Sequence, residues 1–226
     1  MPFDIGFLKT VDTPTLSNAI ELLAVRPRSA GFAPLTVRCL FPELGRMAGY
    51  AVTAQVETVT QTGEGGPQGH LELYRLLERS PKPAVIVLQE IGGFGDFAAH
   101  CGEVMATFFQ RLGAAGLVSD CAVRDLPEVR ALGFHLFARG ACASHAYFRI
   151  VRTGIPVNIC GLPVRPGELL HGDENGLITV PETEPGKLEE AVGEIRRRER
   201  KLLGFVKGPD FSLDGYEAMI RGSYSG

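Results

Sequence analysis

Hydrophobic and polar residues follow two different periods in the first quarter of the chain. Leu16 and Ile20 lie on one face of a helical repeat, and Asp12 with Pro14 just before them is typical of a capped helix start. Residues 47–60 instead alternate and are rich in Val and Thr, which predicts a strand. The chain therefore opens with a helix and continues into a sheet.

From residue 70 onward the two periods alternate. The predicted segments are a helix at 70–79 after a glycine-rich loop at 62–69, a buried strand at 83–89, a glycine loop at 90–97, a helix near 97–112, a strand at 116–120, a short helix at 126–132 and a strand at 134–138. Strands that alternate with helices in this way are typical of an α/β layer.

Short β segments and one charged helix complete the pattern. Strands are predicted at 155–160, 168–172 and 176–181, and the sequence GDENG between the last two predicts a tight hairpin turn. Residues 182–205 read as a charged helix. Because no repeat or linker interrupts the chain, we predict a single domain with a helical C-terminal arm.

Composition narrows the class of protein. The chain has 226 residues, 45% of them hydrophobic, and a net charge of -3, which gives no electrostatic reason to expect a nucleic-acid partner. The basic run at 196–201 is interrupted by Glu199 and is typical of a solvated helix face. Five cysteines without a CxxC pair indicate reduced thiols. With no signal-like or membrane-length apolar run, we expect a cytoplasmic protein without a membrane partner.

Two familiar kinds of cofactor site have little support. The sequence GGFGDF at 92–97 follows a strand and precedes a helix, but it fits neither the dinucleotide-binding pattern nor the P-loop. Its glycines would still let backbone amides approach a small anion. The five histidines show no HExxH and no Cys/His ligand spacing, so a histidine metal site or a zinc site is not favoured.

Arg124 and Asp125 carry the strongest chemical signal. They follow the strand at 116–120, and α/β folds commonly place ligands at the carboxyl ends of strands. Adjacent residues on an extended chain point to opposite sides, so both serve one pocket only if the chain turns, as Pro127 allows. An Arg-Asp pair alone is more often structural than catalytic.

The spacing from Glu103 to this pair favours a functional role over a structural one. An acid, twenty residues and then Arg-Asp resembles the signature of the RraA-like family, whose enzymes are divalent-metal-dependent 4-hydroxy-4-methyl-2-oxoglutarate aldolases that also decarboxylate oxaloacetate. Further blocks resemble the family in family order: TPTLSNAI, GRMAGYAVTAQV, GEVMAT, GLVSDCAVRD, FARG and VRPGELLHGDENGLITVP. Together they reach to about residue 181.

The resemblance implies a fold and an assembly. The expected fold is an α/β three-layer β/β/α sandwich of the swivelling-domain type over residues 1–181. Residues 182–226 are expected to form a helical arm that packs on a neighbouring subunit. Homotrimers, sometimes paired as hexamers, are implied, with active sites between subunits.

The resemblance also assigns roles to the paired residues. Asp125 would ligate Mg²⁺ or Mn²⁺, and Arg124 would hold the 2-oxo acid substrate. Glu103 would orient a metal-bound water, although the family's enzymes usually carry Asp at this position. These roles fit cleavage next to a ketone, because the enolate oxygen that forms needs a hard cation and fixed donors beside it.

Further contacts are implied around this centre. Backbone amides of Gly102, Val104 and Met105 would hold the substrate carboxylate, and Glu199 of an adjacent subunit would complete the outer metal shell through water. His145 and His171 are candidates for contacting the distal half of the substrate, although an ordinary structural role is favoured for each.

Three functions are attached to proteins of this kind. The first is a carbon-carbon lyase that releases pyruvate from a 4-hydroxy-2-oxo acid or from oxaloacetate. The alternative is a non-catalytic regulator that binds a ribonuclease, and such regulators retain the Arg-Asp pair. A third label, demethylmenaquinone methyltransferase, finds no S-adenosylmethionine motif in this sequence.

Overall fold

A twisted eight-stranded sheet organises the protein in a computed structural model that describes residues 4–61, 68–93 and 95–223. The strands are β1 (Arg38–Cys39), β2 (Met47–Glu57), β3 (Ala84–Glu90), β4 (Ala114–Ser119), β5 (His135–Ala138), β6 (Arg149–Thr153), β7 (Val157–Ile159), β8 (Leu162–Val164), β9 (Leu169–Asp173) and β10 (Gly176–Val180). The helices are α1 (Ile5–Leu8), α2 (Thr13–Leu22), α3 (Gln68–Arg79), α4 (Glu103–Arg111), α5 (Leu126–Ala131), α6 (Pro185–Val206) and α7 (Leu213–Ser223).

Parallel pairing forms the centre of the sheet. The strand order is β1-β5-β4-β3-β2-β9-β10, with β6 also paired to β2 and with β7 and β8 forming a separate hairpin. Strands β2 to β5 are parallel, whereas β1, β6, β9 and β10 pair in the antiparallel sense. Phe32 bridges Ile178 of β10, which curls the far edge of the sheet back and nearly closes it.

Both faces of the central strands are buried. On β3, Ile86 and Leu88 face the core shared with α3, α4 and α5, whereas Val85 and Val87 face the β7–β8 hairpin and β9–β10. This explains why the segment reads as a continuous apolar run rather than as an alternating one. The helices, the central sheet and the second β layer give the predicted three-layer β/β/α sandwich, and the fold class is confirmed.

The two ends of the chain meet in a third core. Leu16 and Ile20 of α2 pack with Leu188 and Val192 of α6 against β9 and β10. The Asp12 side chain accepts a hydrogen bond from the Thr15 amide at 2.9 Å, so the predicted helix cap is present. The first half of α6 thus belongs to this core, and docking of the arm on a neighbouring subunit stays a prediction.

The predicted helix near 97–112 is wrong at its start. Residues 98–102 are not helical: Ala99 forms a parallel bridge with Ala122, and the His100 amide donates to the Ala122 carbonyl at 2.8 Å. Gly102 is the N-cap of α4. Of the predicted loop at 62–69, residues 62–67 lie outside the described residues. None of the described helices combines the length and apolar character needed to cross a bilayer.

Candidate active site

An open cavity of about 240 Å³ lies at the N-terminal end of α4. Its walls come from α3, residues 99–102, the first turn of α4, residues 124–125 and the turn at 145–148. Five separate segments of the chain therefore converge on one small space, which is the usual form of a small-molecule site.

A left-handed residue brings Arg124 and Asp125 to the same wall. The Arg124 amide donates to the Cys101 carbonyl at 2.8 Å, which fixes the extended segment before it. Asp125 then adopts φ 56° and ψ 44°, a region that costs non-glycine residues about 1–2 kcal/mol. Because the chain turns at this residue, both side chains line the cavity although they are neighbours in sequence. Strain of this kind is often found at functional sites.

Gly102 makes the close approach of this turn to α4 feasible. A Cβ atom at this position would lie 2.3 Å from Asp125 Oδ2 and 3.1 Å from the Arg124 Cγ. The Glu103 amide donates to the same Asp125 Oδ2 at 2.9 Å. The start of α4 and the Arg-Asp turn are thus locked together, and only glycine fits at the contact.

The N-terminus of α4 offers free donors to the cavity. The Glu103 amide is engaged by Asp125, but the amides of Val104 and Met105 have no partner among residues 4–61, 68–93 and 95–223. Both residues line the cavity. Unpaired amides and the positive end of the helix dipole favour a carboxylate at this position. The arrangement fits the carboxylate-binding role expected for this loop.

Arg124 and Asp125 are only loosely paired with each other. Arg124 Nε lies 3.8 Å from Asp125 Oδ2, and the two side chains are 38% and 40% exposed. Within the described part of the chain, Asp125 Oδ1 accepts no hydrogen bond. A half-exposed carboxylate oxygen facing a cavity suits a hard cation that keeps most of its water ligands. The residues present therefore fit the divalent ion that the resemblance implies.

Neither Glu103 nor Glu199, the two remaining predicted site residues, lines the cavity. Glu103 is exposed at the first position of α4, beside the cavity, and its backbone rather than its side chain contacts Asp125. Glu199 is exposed on the second half of α6 and does not line this cavity. Contact of Glu199 with an active site would need a second copy of the chain, so its role stays a prediction.

A closed polar network lies directly behind the cavity and was not predicted. His100 is 1% exposed, and its Nε2 bonds to Glu90 Oε2 while its Nδ1 bonds to Ser119 Oγ, both at 2.9 Å. Glu90 also accepts hydrogen bonds from the Thr58 hydroxyl at 3.1 Å and from the Gly92 amide at 2.8 Å. Each of these polar groups therefore has a protein partner.

Cys121 gives this network the composition of a metal site. Potential ligand atoms of Glu90, His100 and Cys121 all lie within 4.8 Å of one another. The Cys121 thiol, however, contacts the Ala98 carbonyl at 2.8 Å as a donor, and burial raises its pKa to about 12. In the part of the chain that the structure describes, protein hydrogen bonds engage both nitrogens of His100, the Glu90 carboxylate and the thiol, which fits a hydrogen-bonded structural network. The three residues are ten or more positions apart, so they form no recognisable ligand spacing along the chain.

Carboxylates also cluster at the ends of the parallel strands. Asp120 accepts the Glu90 amide at 2.8 Å, and burial raises its pKa to about 6. Glu57 at the end of β2 behaves oppositely, because hydrogen bonds from the Thr60 hydroxyl and then from Arg149 lower its pKa to about 2. Asp120 and Glu57 follow or end strands on either side of β3 and differ in whether donors compensate their burial.

The two candidate histidines, His145 and His171, lie in different environments. His171 is fully buried, where it bonds to the Thr13 hydroxyl and to the Leu8 carbonyl, each at 3.0 Å, and burial lowers its pKa. It does not line the cavity and supports the core between α1, α2 and β9. His145 is exposed and does line the cavity.

Comparison with known proteins decides the family. The sequence profile of the RraA-like family, described as Aldolase/RraA, matches residues 13–179. The chain belongs to this family. The matched region includes every predicted site residue except Glu199 of α6.

Two relatives with similar sequences are named as aldolases. The chain is 31% identical over 134 residues to a Halalkalibacterium halodurans protein provisionally named 4-hydroxy-4-methyl-2-oxoglutarate aldolase, covering 56% of this chain and 62% of that one. It is 33% identical over 96 residues to the 4-hydroxy-4-methyl-2-oxoglutarate aldolase of Thermus thermophilus, covering 42% and 58%. The matches thus span about three fifths of each curated relative.

A solved structure supports the fold over a longer span. An unusual member of the RNase ES inhibitor RraA family from Streptomyces coelicolor superposes with a TM-score of 0.64 at 26% identity, covering 88% of this chain and 96% of that one. Family and fold are therefore established, while the family contains proteins named as enzymes and proteins named as inhibitors.

Proposed function

We propose that the protein is a divalent-metal-dependent class II pyruvate aldolase that cleaves a 4-hydroxy-2-oxo acid and also decarboxylates oxaloacetate. One observation carries the proposal: Arg124, Asp125 and the unpaired amides of Val104 and Met105 face the same cavity. A 2-oxo acid presents a carboxylate beside a ketone, and these groups offer separate partners for each.

The protein groups act first by holding the pyruvate unit. The amides of Val104 and Met105 bind the substrate carboxylate at the positive end of α4. Arg124 then directs its guanidinium donors at the keto oxygen, on which negative charge develops as the enolate forms. Removal of one such donor typically costs about 3 kcal/mol, roughly a hundredfold in rate.

Asp125 is the proposed ligand for the cation. When bound there, Mg²⁺ or Mn²⁺ supplies Lewis-acid polarisation of the keto oxygen. Glu103, exposed beside Asp125, is proposed to orient water next to the substrate. Its side chain is one methylene longer than the Asp usual in the family's enzymes.

Subunit contacts complete the proposal. We propose a homotrimer, or a hexamer made of two trimers, in which Glu199 of α6 faces the cavity of an adjacent copy. The second half of α6 supports this arrangement because Leu203 and Val206 are 50% and 41% exposed. Exposed apolar side chains three positions apart lie on one face of a helix and favour burial against another surface.

Pyruvate release is the direct test of the proposed activity. Oxaloacetate and 4-hydroxy-4-methyl-2-oxoglutarate would each be incubated with the protein and Mg²⁺ or Mn²⁺, with and without a chelator. We expect metal-dependent pyruvate formation that falls at least about a hundredfold in Arg124→Ala. Arg124→Lys tests planar recognition, because lysine keeps the charge but lacks the forked donors. Absence of turnover on a panel of 2-oxo acids would refute the proposal.

A regulator that binds a ribonuclease is the second candidate. The Streptomyces coelicolor neighbour favours it, since that protein is named as a member of an RNase ES inhibitor family. The Arg124→Ala variant distinguishes the lyase from the regulator. If the regulator binds through its outer surface, this variant should still inhibit a purified E-type ribonuclease. Ribonuclease inhibition without pyruvate release would select the regulator.

A further inference from the structure

The turn at 144–148 holds a histidine against the cavity in a fixed form. Ala146 adopts φ 47°, and its amide donates to Ser144 Oγ at 3.0 Å. The Ser144 carbonyl accepts the Ala99 amide at 2.7 Å, and the Tyr147 amide donates to the Thr58 carbonyl at 3.1 Å. The turn is therefore tied to two neighbouring segments on either side of the residue that it presents.

A hydrogen bond selects the tautomer of His145. Its Nδ1 lies 2.8 Å from the Ala146 carbonyl oxygen, which can only accept, so Nδ1 carries the proton. In the neutral ring the lone pair is then on Nε2. Within the described ranges Nε2 has no hydrogen-bond partner, and His145 lines the cavity. A fixed, unengaged acceptor nitrogen at a cavity wall is the form that a general base requires.

The other histidines at this cavity lack that form. Both ring nitrogens of His100 are engaged, by Glu90 and by Ser119. The His70 ring makes no hydrogen bond with the residues that the structure describes; it packs 5.6 Å from the ring of Phe148, and burial lowers its pKa. His145 is thus the histidine whose tautomer is set and whose second nitrogen remains available.

We propose that His145 is a catalytic residue that removes the proton from the C4 hydroxyl of the substrate. The inference rests on the proposed aldolase function and adds a base to it. His145 Nε2 takes the hydroxyl proton, the C4 oxygen becomes a carbonyl, and the C3–C4 bond breaks. Its electron pair passes to C3 and forms the pyruvate enolate, which Arg124 stabilises and which then takes a proton from water. His145 returns its proton to solvent.

The lining of the cavity supports separate roles for Arg124 and His145. Arg124 and the first turn of α4 belong to one part of its wall, and His145 belongs to a separate turn. A space of about 240 Å³ is of the order of one small acid, so a substrate that fills it reaches both Arg124 and His145, which line the same cavity. The hydroxyl oxygen and the enolate oxygen are then served by different residues.

The two reactions of the proposed enzyme provide the test. Decarboxylation of oxaloacetate breaks a C–CO₂ bond and has no C4 hydroxyl proton to remove. His145→Ala and His145→Gln should therefore lower kcat for cleavage of 4-hydroxy-4-methyl-2-oxoglutarate by about a hundredfold or more, the usual range for a lost base. Oxaloacetate decarboxylation should stay within about threefold. His70→Ala, at the same cavity, should change both reactions by a similar factor.

Each other outcome contradicts the inference. Equal loss of both reactions in a folded His145→Ala protein would show that the residue supports the site generally, and loss of neither would show that it takes no part. A parent protein that decarboxylates oxaloacetate but cleaves no 4-hydroxy-2-oxo acid would overturn the base while leaving the decarboxylase. Turnover of neither substrate by the parent protein would instead refute the proposed function itself.

Discussion

Two polar regions meet at the wall that His100 forms. Behind His100, the network of Glu90, His100, Ser119 and Cys121 is closed, because its groups bond to one another or to the backbone. In front of it, Arg124 and Asp125 are separated by 3.8 Å and more than a third exposed. The closed network contains the more familiar metal-ligand residue types, yet the open cavity has the unengaged atoms.

Polar atoms without a hydrogen-bond partner, rather than residue types that commonly bind metals, therefore distinguish the candidate site. Buried polar groups that satisfy one another contribute to stability and specify the fold. Groups left unpaired beside a cavity contribute little to folding and are free to bind a ligand. Substitutions in the two regions should therefore change different quantities: catalysis at the open cavity and stability in the closed network.

Gly102→Ala should break the open region most severely. The new Cβ would lie 2.3 Å from Asp125 Oδ2, so the carboxylate and the start of α4 must separate. A displacement of about 1 Å at a reacting centre costs on the order of a hundredfold in rate, or roughly 3 kcal/mol. Initial rates of pyruvate release measure the effect.

Gly186→Ala is the matched control for that substitution. Gly186 lies in the first turn of α6, where an added Cβ meets nothing within 4 Å. Its activity should equal that of the parent protein. Equal activity of the two variants would show that the contact between Gly102 and Asp125 does not position the site.

His100→Leu should remove hydrogen bonds from the closed network and lower the free energy of unfolding. It leaves Glu90 Oε2 and Ser119 Oγ without their histidine partner in a buried position. Leaving a buried polar group without its hydrogen-bond partner costs about 1–3 kcal/mol in unfolding free energy. Urea denaturation followed by circular dichroism measures it.

His70→Leu controls for the loss of a ring. His70 is half-buried and forms ring contacts with Tyr74 and Phe148. Its replacement by a residue of similar volume should change stability by less than about 1 kcal/mol. If the two variants were equally stable, the closed network would contribute nothing specific.

Asp120→Asn should change the pH dependence of stability and have no effect below about pH 4. Burial raises the pKa of Asp120 to about 6, while Glu90 and His100 face it as charged or titratable neighbours. In the unfolded chain the carboxyl loses its proton near pH 4, so this group destabilises the folded protein as pH rises from 4 to 6. Asn cannot ionise, so the variant should gain up to about 3 kcal/mol relative to the parent across that interval, because each unit by which the pKa is raised corresponds to about 1.4 kcal/mol.

Thermal unfolding at pH 4, 5, 6 and 7 reports this difference. The gap between Asp120→Asn and the parent should widen up to about pH 6 and then stay constant. A gap that is independent of pH would mean that Asp120 titrates alike in both states.

Local patterns predicted most of the fold. The apolar run at 83–89 becomes β3, the GDENG sequence becomes the β9–β10 turn, and the charged tail becomes α6. The start of α4 was misplaced because Ala99, directly ahead of it, has a high intrinsic helix propensity. A long-range parallel bridge to Ala122 overrides that preference, and no local pattern reports such a partner.

The candidate site was predictable only in part. The spacing from Glu103 to Arg124 and Asp125 is a linear signature, and the turn at Asp125 was foreseen from Pro127. His145 could be named as a candidate, but its tautomer depends on a carbonyl that only the folded turn places beside Nδ1. The closed network joins residues from the ends of β3 and β4 and from the loop before α4, which the sheet alone brings together.

A crystal structure with Mn²⁺ and oxalate, an analogue of the pyruvate enolate, tests the central claim most directly. Anomalous scattering would locate the metal without reference to activity. We expect a peak beside Asp125, with oxalate against Arg124 and the amides of Val104 and Met105. A peak among Glu90, His100 and Cys121, with none at Asp125, would contradict it.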